Sequence, residues 1–413
     1  MTGLVVIGAS YAGLQAAVSA REAGYAEPIR IVTDESHLPY QRPPLSKGFL
    51  VGNVDERGLM LRSEEFFAAQ GIELALGRRA TRVDRRACAV ELEGGGRIAY
   101  DKLLIATGSR ARLLTVPGGA LPGIYYLRSL DDARNLTRRL AGATAVIIIG
   151  GGFIGLEVAS SAAKLGKSVT VIEAASRLLE RAVSPLVSQF LLDLHRAHGV
   201  DIRLNETVLR IDGDDGGMHE VVCERGRRIR GDLIVAGIGG VPNDELASGA
   251  DIQCANGIAV DEFGQTGDAC ILAAGDCSNH PNRFAGRRLR LESVQNATDQ
   301  GKSAGATIAG KRDAYASVPR FWSDQCQKKL QIVGVSTGHD LQVVRDRAED
   351  GRFSVFYYRR SRLIAVESVN RPGDQIIARR LIAGSISPSP EQAADLSFDF
   401  KTLEAAGRPG ERG

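Results

Sequence analysis

Two glycine turns, each set between an apolar strand and a run of small residues, most constrain how this chain folds. The first follows Leu4-Val5-Val6-Ile7 and runs Gly8-Ala9-Ser10-Tyr11-Ala12-Gly13. The second follows Ala145-Val146-Ile147-Ile148-Ile149 and runs Gly150-Gly151-Gly152-Phe153-Ile154-Gly155. A pyrophosphate needs a tight turn, a backbone with no side chain in its way, and the N–H groups of a helix start. One such string is a weak signal, but two in the same strand-turn-helix context predict that two dinucleotides are held at once. The natural pair is FAD with a nicotinamide nucleotide.

In the first turn Gly8, Ala12 and Gly13 fall on the pyrophosphate, and Ser10 stands where the fingerprint has its second glycine. Asp34, after the strand Ile29 to Thr33, is the acceptor for the adenosine ribose hydroxyls, with Glu35 as its rival. In the second turn Gly150, Gly152, Phe153, Ile154 and Gly155 take the corresponding places. Glu173 closes the strand Val169 to Ile172, where an acidic group accepts from a ribose 2′-hydroxyl and repels a 2′-phosphate. The expectation is NADH rather than NADPH. Arg177, just beyond, has two readings: a guanidinium for a phosphate, or a contact to the adenosine moiety. Ile238-Gly239 is expected to line the nicotinamide side.

The chain has 413 residues, 44% hydrophobic and 24% charged, enough for about two to three domains with sizeable cores. Its apolar runs are strand-sized, and Met1 leads almost directly into the first strand, so neither a signal peptide nor a spanning helix is expected. A cytoplasmic enzyme without membrane association is the simple expectation. Fifty-two Lys and Arg against 49 Asp and Glu leave a net charge of +3, too small a surplus to argue for nucleic acid, although it permits a local basic face. Cys88, Cys223, Cys254, Cys270, Cys277 and Cys326 show no C-x-x-C and no metal spacing, and are expected to be reduced, mostly buried thiols. Flavin disulfide reductases pass electrons to cysteine near the isoalloxazine. No cysteine precedes Cys88 here, so electrons are expected to leave the flavin without a dithiol. The histidines form no metal set; His195 and His198 share a helical face, and a satisfied or solvated pair is the favoured reading over a metal site.

An internal repeat accompanies the two turns. Arg97-Ile98-Ala99-Tyr100-Asp101-Lys102-Leu103-Leu104-Ile105-Ala106-Thr107-Gly108 is echoed by Arg228-Ile229-Arg230-Gly231-Asp232-Leu233-Ile234-Val235-Ala236-Gly237-Ile238-Gly239. In both, a hairpin-like stretch leads into a buried strand. The first unit pauses near Gly108 and resumes after Val241-Pro242-Asn243, because Cys270 to Asp276 is another apolar strand. From Tyr315 onward the pattern changes to alternating strands, Leu330 to Val335, Arg352 to Tyr358 and Leu363 to Val369, followed by a helical stretch from Asp374 to Ala383. The expected fold is α/β: two Rossmann-like dinucleotide-binding domains, arranged as in glutathione reductase with the NAD domain inserted in the FAD domain, plus a C-terminal α+β domain. The expected boundaries are 1–110 and 243–315 for FAD, 111–242 for NAD and 316–413 for the third. Gly407-Arg408-Pro409-Gly410-Glu411-Arg412-Gly413 has the composition of a tail.

Beyond the turns, Arg42-Pro43-Pro44-Leu45-Ser46-Lys47, Ala106-Thr107-Gly108, Gly275-Asp276, Glu292-Ser293-Val294-Gln295-Asn296-Ala297 and Phe321-Trp322-Ser323-Asp324-Gln325 follow in one order. With them the whole chain resembles the FAD-dependent NADH:ferredoxin reductases of bacterial oxygenase systems, the group of putidaredoxin reductase and the aromatic-ring dioxygenase reductases. The resemblance implies a flavoprotein that takes a hydride from NADH and passes electrons singly to a [2Fe–2S] ferredoxin, which feeds a cytochrome monooxygenase or a ring-hydroxylating dioxygenase. It implies FAD contacts at Arg42, Pro44, Lys47, Ala80, Ala106, Thr107, Gly108, Arg128, Gly275, Asp276 and Val294. It also implies that Lys47 and Glu157 meet beside the flavin N5, and that Trp322 lies near the flavin at the ferredoxin-docking face; taken alone, a single tryptophan is as readily core filling. Small ferredoxins are acidic, and the resemblance makes Lys302 a docking contact, with Lys328 and Lys329 next; most other basic clusters are ordinary solvated surface. The oligomeric expectation is a monomer or weak homodimer. Rubredoxin reductase and NADH oxidase are the enzymatic alternatives on this scaffold, and a redox-sensing protein of the apoptosis-inducing-factor kind is the alternative from another class.

Overall fold

A computed structural model describes residues 2–214 and 217–403; the expected tail, 407–413, lies outside the described residues. The chain separates into two compact units. One takes in the chain up to Gln41, Leu59–Arg110 and Val241–Phe321; the other takes in Arg42–Gly58, Ala111–Gly240 and the chain from Trp322 onward.

The first unit is built on a parallel sheet in the order Ile271–Ala273, Lys102–Ile105, Leu4–Ile7, Ile29–Val32, Ile72–Ala75. These strands read as continuous apolar runs because both faces are covered. Leu4 and Val6 pack on one side with Ile29, Ile31 and the helix residues Leu14, Ala16 and Ala20. Val5 and Ile7 pack on the other with Val83, Val90 and Tyr100, as a side-chain period of two requires. The helix Tyr11–Glu22 is made of small residues because Val294–Ile308 lies close against it. A Cβ at Gly301 would stand 2.5 Å from Ala12 O, and one at Gly305 2.5 Å from Ala16 O.

The second unit repeats the plan, with parallel strands in the order Val200–Arg203, Ser168–Ile172, Ala145–Ile149, Leu233–Ala236, Ile124–Tyr125. The internal repeat is real down to its irregularities. Each unit carries a three-stranded antiparallel meander, Ala80–Asp84, Ala89–Leu92, Arg97–Ala99 in one and Val208–Gly213, His219–Cys223, Arg228–Gly231 in the other. Each meander has a register shift in its first strand, at Ala80/Arg82 and at Val208/Arg210.

From Trp322 onward the second unit also carries most of an antiparallel sheet in the order Arg320–Gln325, Lys328–Gly334, Arg362–Val369, Phe353–Arg359, Leu341–Arg345, with Pro372–Ala383 packed on it. The strand Leu341–Arg345 was absent from the sequence expectation; its Leu-Gln-Val-Val-Arg run breaks the apolar–polar alternation at Val344, and four of its five residues, Leu341 to Val344, are exposed or half-buried. A second feature not expected from sequence is that Arg42–Gly58 belongs with the second unit. Arg42 Nη1 donates to Arg128 O at 2.8 Å, and Arg134 forms a two-pronged ion pair with Glu56 at 2.7 Å.

Candidate functional site

The first glycine turn sits at the carboxyl edge of its parallel sheet, where ligands bind in folds of this type. Gly8 has φ +108°, and a Cβ there would lie 2.2 Å from Ala106 O; a Cβ on Gly13 would lie 1.9 Å from Gly8 O. Only glycine lets strand, turn and helix approach so closely. Ser10 is the N-cap of Tyr11–Glu22, yet its side chain makes no cap hydrogen bond. By contrast, Ser129, Ser184, Ser293 and Ser389 each bond back into their helices. A helix start left uncapped by its own side chain suits a phosphate.

Around this turn the first unit gathers Gly8, Ser10, Ala106, Thr107, Gly108, Gly275 and Asp276 after strand ends, with Ala12, Gly13 and Val294 in the first turns of their helices. A Cβ on Gly275 would meet that of Ala12 at 3.0 Å, and Gly275 N donates to Gln300 Oε1 at 2.8 Å. Thr107 Oγ1 donates to Asn243 O at 2.6 Å, Asn243 N to Gly108 O at 2.9 Å, and Ser109 Oγ to Asp276 Oδ2 at 3.3 Å. Ala80 opens a meander strand and is half-buried. Asp34 is exposed, whereas Glu35 accepts from the Tyr40 hydroxyl.

The second turn duplicates this geometry. Gly150 has φ +109° with its would-be Cβ 2.5 Å from Gly237 O, and a Cβ on Gly155 would lie 2.1 Å from Gly150 O. Gly152 caps Phe153–Lys164 without a side chain, and a Cβ there would touch nothing nearer than 3.7 Å. Packing does not demand glycine at that place, and the space left open there suits the close approach of a ligand. Ile154 is exposed, and Ile238-Gly239 follows directly on Gly237 beside the turn. Glu173 Oε2 accepts from Gly151 N at 2.6 Å and Oε1 from Ala175 N at 2.7 Å, so the carboxylate is fixed against the turn. Arg177 is tied to its own loop, donating to Val183 O at 2.7 Å and Glu180 O at 2.5 Å. Register makes Thr33 the counterpart of Glu173, since Ile7 pairs with Val32 as Ile149 pairs with Ile172. The acid in the first unit is therefore displaced by one residue, to Asp34.

Lys47 and Glu157 meet within the second unit. Lys47 Nζ lies 2.7 Å from Glu157 Oε2 and donates to Pro43 O at 3.2 Å. Pro43–Ser46 is a 3-10 turn that ends at Lys47, while Glu157 lies on the buried face of Phe153–Lys164. Buried charge is costly unless paired and hydrogen-bonded, and Glu157 also accepts from Ser46 Oγ and Ser323 Oγ, each at 2.5 Å. Pro44 lies in the 3-10 turn; Arg42 and Arg128 are joined as described above. Trp322 is half-buried, on the opposite side of its strand from the buried Ser323 and Gln325, so it does not fill the core.

The docking candidates are divided between the units. Lys302 is exposed on Val294–Ile308 in the first. In the second, Lys329 is exposed and lies 3.9 Å from Asp324, while Lys328 is half-buried. Arg288 and Arg290, part of another basic run, are internal fasteners instead, bound to carbonyls of Val260, Asn279 and Asp276.

All six cysteines are thiols. Cys223, Cys277 and Cys326 are buried and the other three half-buried, so burial is less complete than expected. His195 is buried and bonded to Gln325, whereas His198 is exposed, its Nδ1 2.8 Å from Leu194 O. No helix among the described residues is long and apolar enough to cross a membrane.

Comparison with known proteins agrees with this architecture. Residues 2–301 match the family model of pyridine nucleotide-disulphide oxidoreductases, and residues 320–404 match the reductase C-terminal model. The chain is 45% identical to rhodocoxin reductase of Rhodococcus erythropolis, over 96% of this chain and 93% of that one. It is 40% identical to a rubredoxin-NAD(+) reductase of Pseudomonas putida, over 90% and 97%. It also superposes on the reductase of the covalent putidaredoxin reductase–putidaredoxin complex with a TM-score of 0.95, at 38% identity and 99% coverage of both chains. The chain belongs to the pyridine nucleotide-disulphide oxidoreductase family, within its group of FAD- and NAD(P)H-dependent ferredoxin reductases.

Proposed function

We propose that the first unit binds FAD, the inserted strand-and-helix region of the second binds NADH, and the output is single electrons to a [2Fe–2S] ferredoxin serving an oxygenase. The observation that carries this reading is the pair of side-chain-uncapped glycine turns in a chain whose six cysteines form no disulfide. Bound FAD supplies the chemistry of accepting an electron pair as hydride and releasing electrons one at a time. Gly8, Ser10, Ala12 and Gly13 hold its pyrophosphate, Asp34 its ribose, and Asp276 with Ala106, Thr107, Gly108 and Val294 the remainder. Ala80 completes the set within that unit, while Arg42, Pro44 and Arg128, proposed FAD contacts by family resemblance, stand in the second unit.

For the second nucleotide, Glu173 accepts from the ribose 2′-hydroxyl and repels a 2′-phosphate. Arg177, with two donors spent on backbone carbonyls, is poorly disposed to rescue that phosphate. Phe153, Ile154, Ile238 and Gly239 border the nucleotide. Lys47 holds positive charge where negative charge arrives, and Glu157 keeps the ammonium in place; no side chain in this scheme abstracts a proton. The candidate ferredoxin contacts are Lys302 in the first unit and Trp322, Lys328 and Lys329 in the second.

The free thiols fit a reducing compartment, which supports a cytoplasmic location. Rubredoxin as acceptor is the second reading, supported by the 40% identity to a rubredoxin reductase. Stopped-flow reduction by NADH and by NADPH, followed by reoxidation with ferredoxin or rubredoxin, tests both. A higher kcat/KM for NADPH overturns the Glu173 assignment, and faster electron transfer to rubredoxin overturns the ferredoxin one.

A further inference from the structure

The Glu157 carboxylate is the end of a buried chain of side chains that the site description leaves without a role. Ser323 Oγ donates to Glu157 Oε1 at 2.5 Å. Gln325 Nε2 donates to Ser323 Oγ at 2.9 Å. Gln325 Oε1 faces His195 Nε2 at 2.9 Å, and His195 Nδ1 faces Cys326 Sγ at 3.9 Å. His195 and Ser323 are fully buried and Gln325 is 2% exposed.

The chain has one polarity. An ionised carboxylate only accepts, so the Ser323 proton points to Glu157, leaving its oxygen to accept from the amide of Gln325. The amide oxygen then faces His195 and requires a proton on Nε2. Burial holds the imidazole below its ordinary range, so it is neutral and Nδ1 is bare toward the thiol. Flipping the Gln325 amide would turn the Ser323 proton toward Gln325 and strip Glu157 Oε1 of its donor. The fold anchors the arrangement: Cys326 and Gln327 form a two-residue turn with φ +46° and +63°, and Cys326 N donates to Ser160 Oγ at 2.8 Å, on the helix that carries Glu157.

We propose that Ser323, Gln325 and His195 are positioning residues that hold the Glu157 carboxylate in the orientation that fixes Lys47, with Gln325 setting the direction of the relay. The proposal rests on the reading that Lys47 acts in flavin reduction. It is tested on the holoenzyme by stopped-flow reduction with NADH for Ser323→Ala, Ser323→Thr and Gln325→Glu, and for Ser323→Ala combined with Lys47→Met. A glutamate at 325 accepts from both neighbours and so captures the Ser323 proton.

Ser323→Ala and Gln325→Glu are expected to slow flavin reduction about tenfold with NADH binding unchanged, the scale of one hydrogen bond to a charged group. Ser323→Thr, which keeps the hydroxyl, is expected to restore the rate. In the Lys47→Met background Ser323→Ala is expected to add nothing, because the two act as one unit. Long-range 1H–15N spectra give an independent readout: His195 is expected as the Nε2–H tautomer in the wild type. Additive effects of Ser323→Ala and Lys47→Met, or an Nδ1–H tautomer, overturn the proposal. If Lys47→Met alone leaves the rate unchanged, the reading of Lys47 fails instead, and the tautomer still decides the relay.

Discussion

Replacing Lys47 by Met removes one ammonium while keeping most of the side-chain bulk, and it leaves Glu157 buried with its two serine donors. Flavin reduction by NADH is expected to slow about a hundredfold, the usual cost of deleting one preorganised electrostatic partner, with FAD retained; stopped-flow absorbance checks it. Glu173→Gln keeps an acceptor near Gly151 N but loses the negative charge. The ratio of kcat/KM for NADH over NADPH is expected to fall about tenfold, mainly through better use of NADPH. A third residue bears on stability. His280 is 1% exposed with neither ring nitrogen hydrogen-bonded, and burial brings its pKa down to about 4. The folded form thus binds fewer protons than the unfolded one. Its contribution is intact above the ordinary value near 6.5 and is lost progressively as pH falls from there to about 4. Urea unfolding at pH 7 and pH 5 should show a loss on the order of 2 kcal/mol that His280→Leu removes.

At the scale of elements, the glycine turns tie sequence directly to packing. A Cβ on Gly155 would lie 2.1 Å from the backbone oxygen of Gly150, which has no flexible end to move aside. Gly155→Ala is expected to displace the start of Phe153–Lys164, raising the KM for NADH severalfold while FAD content, proposed to depend on the other glycine turn, is unchanged. These turns were legible in sequence because the glycine pattern that marks them lies within one strand-turn-helix segment, although the close approaches of Gly8 to Ala106 and of Gly150 to Gly237 come from distant strands. Glu173 was legible by its place at the end of the next strand. The donors around Glu157 were not: Ser323 is 166 positions from it, and His195 is 130 from Gln325, so only folding reveals that they share a carboxylate. Ser323 and Gln325 did stand in a string quoted for its resemblance, flanking Trp322 and Asp324 in strict alternation. That alternation was the available signal that they face inward. Leu341–Arg345 was missed for a different reason: its apolar residues Leu341, Val343 and Val344 do not keep a strict alternation, and it is a mostly solvated edge strand.

On the proposed function, the whole molecule joins a two-electron donor to a one-electron carrier with all six of its cysteines as free thiols. The proposed docking of an acidic ferredoxin at exposed lysines such as Lys302 or Lys329 would be a long-range attraction that salt screens over about 10 Å at 0.1 M. The KM for ferredoxin is expected to climb with added salt, and Lys302→Glu is expected to raise it at low salt while leaving NADH-to-flavin reduction unchanged; a flat salt dependence contradicts the docking assignment. The central claim is that one polypeptide binds FAD and a pyridine nucleotide together on its two glycine turns. It is tested most directly by anaerobic titration of the purified protein with NADH, followed in the visible spectrum. The account predicts a yellow protein that bleaches with one NADH per flavin and regains its colour on addition of oxidised ferredoxin. A protein that stays colourless after reconstitution with FAD, or yellow after excess NADH, contradicts it.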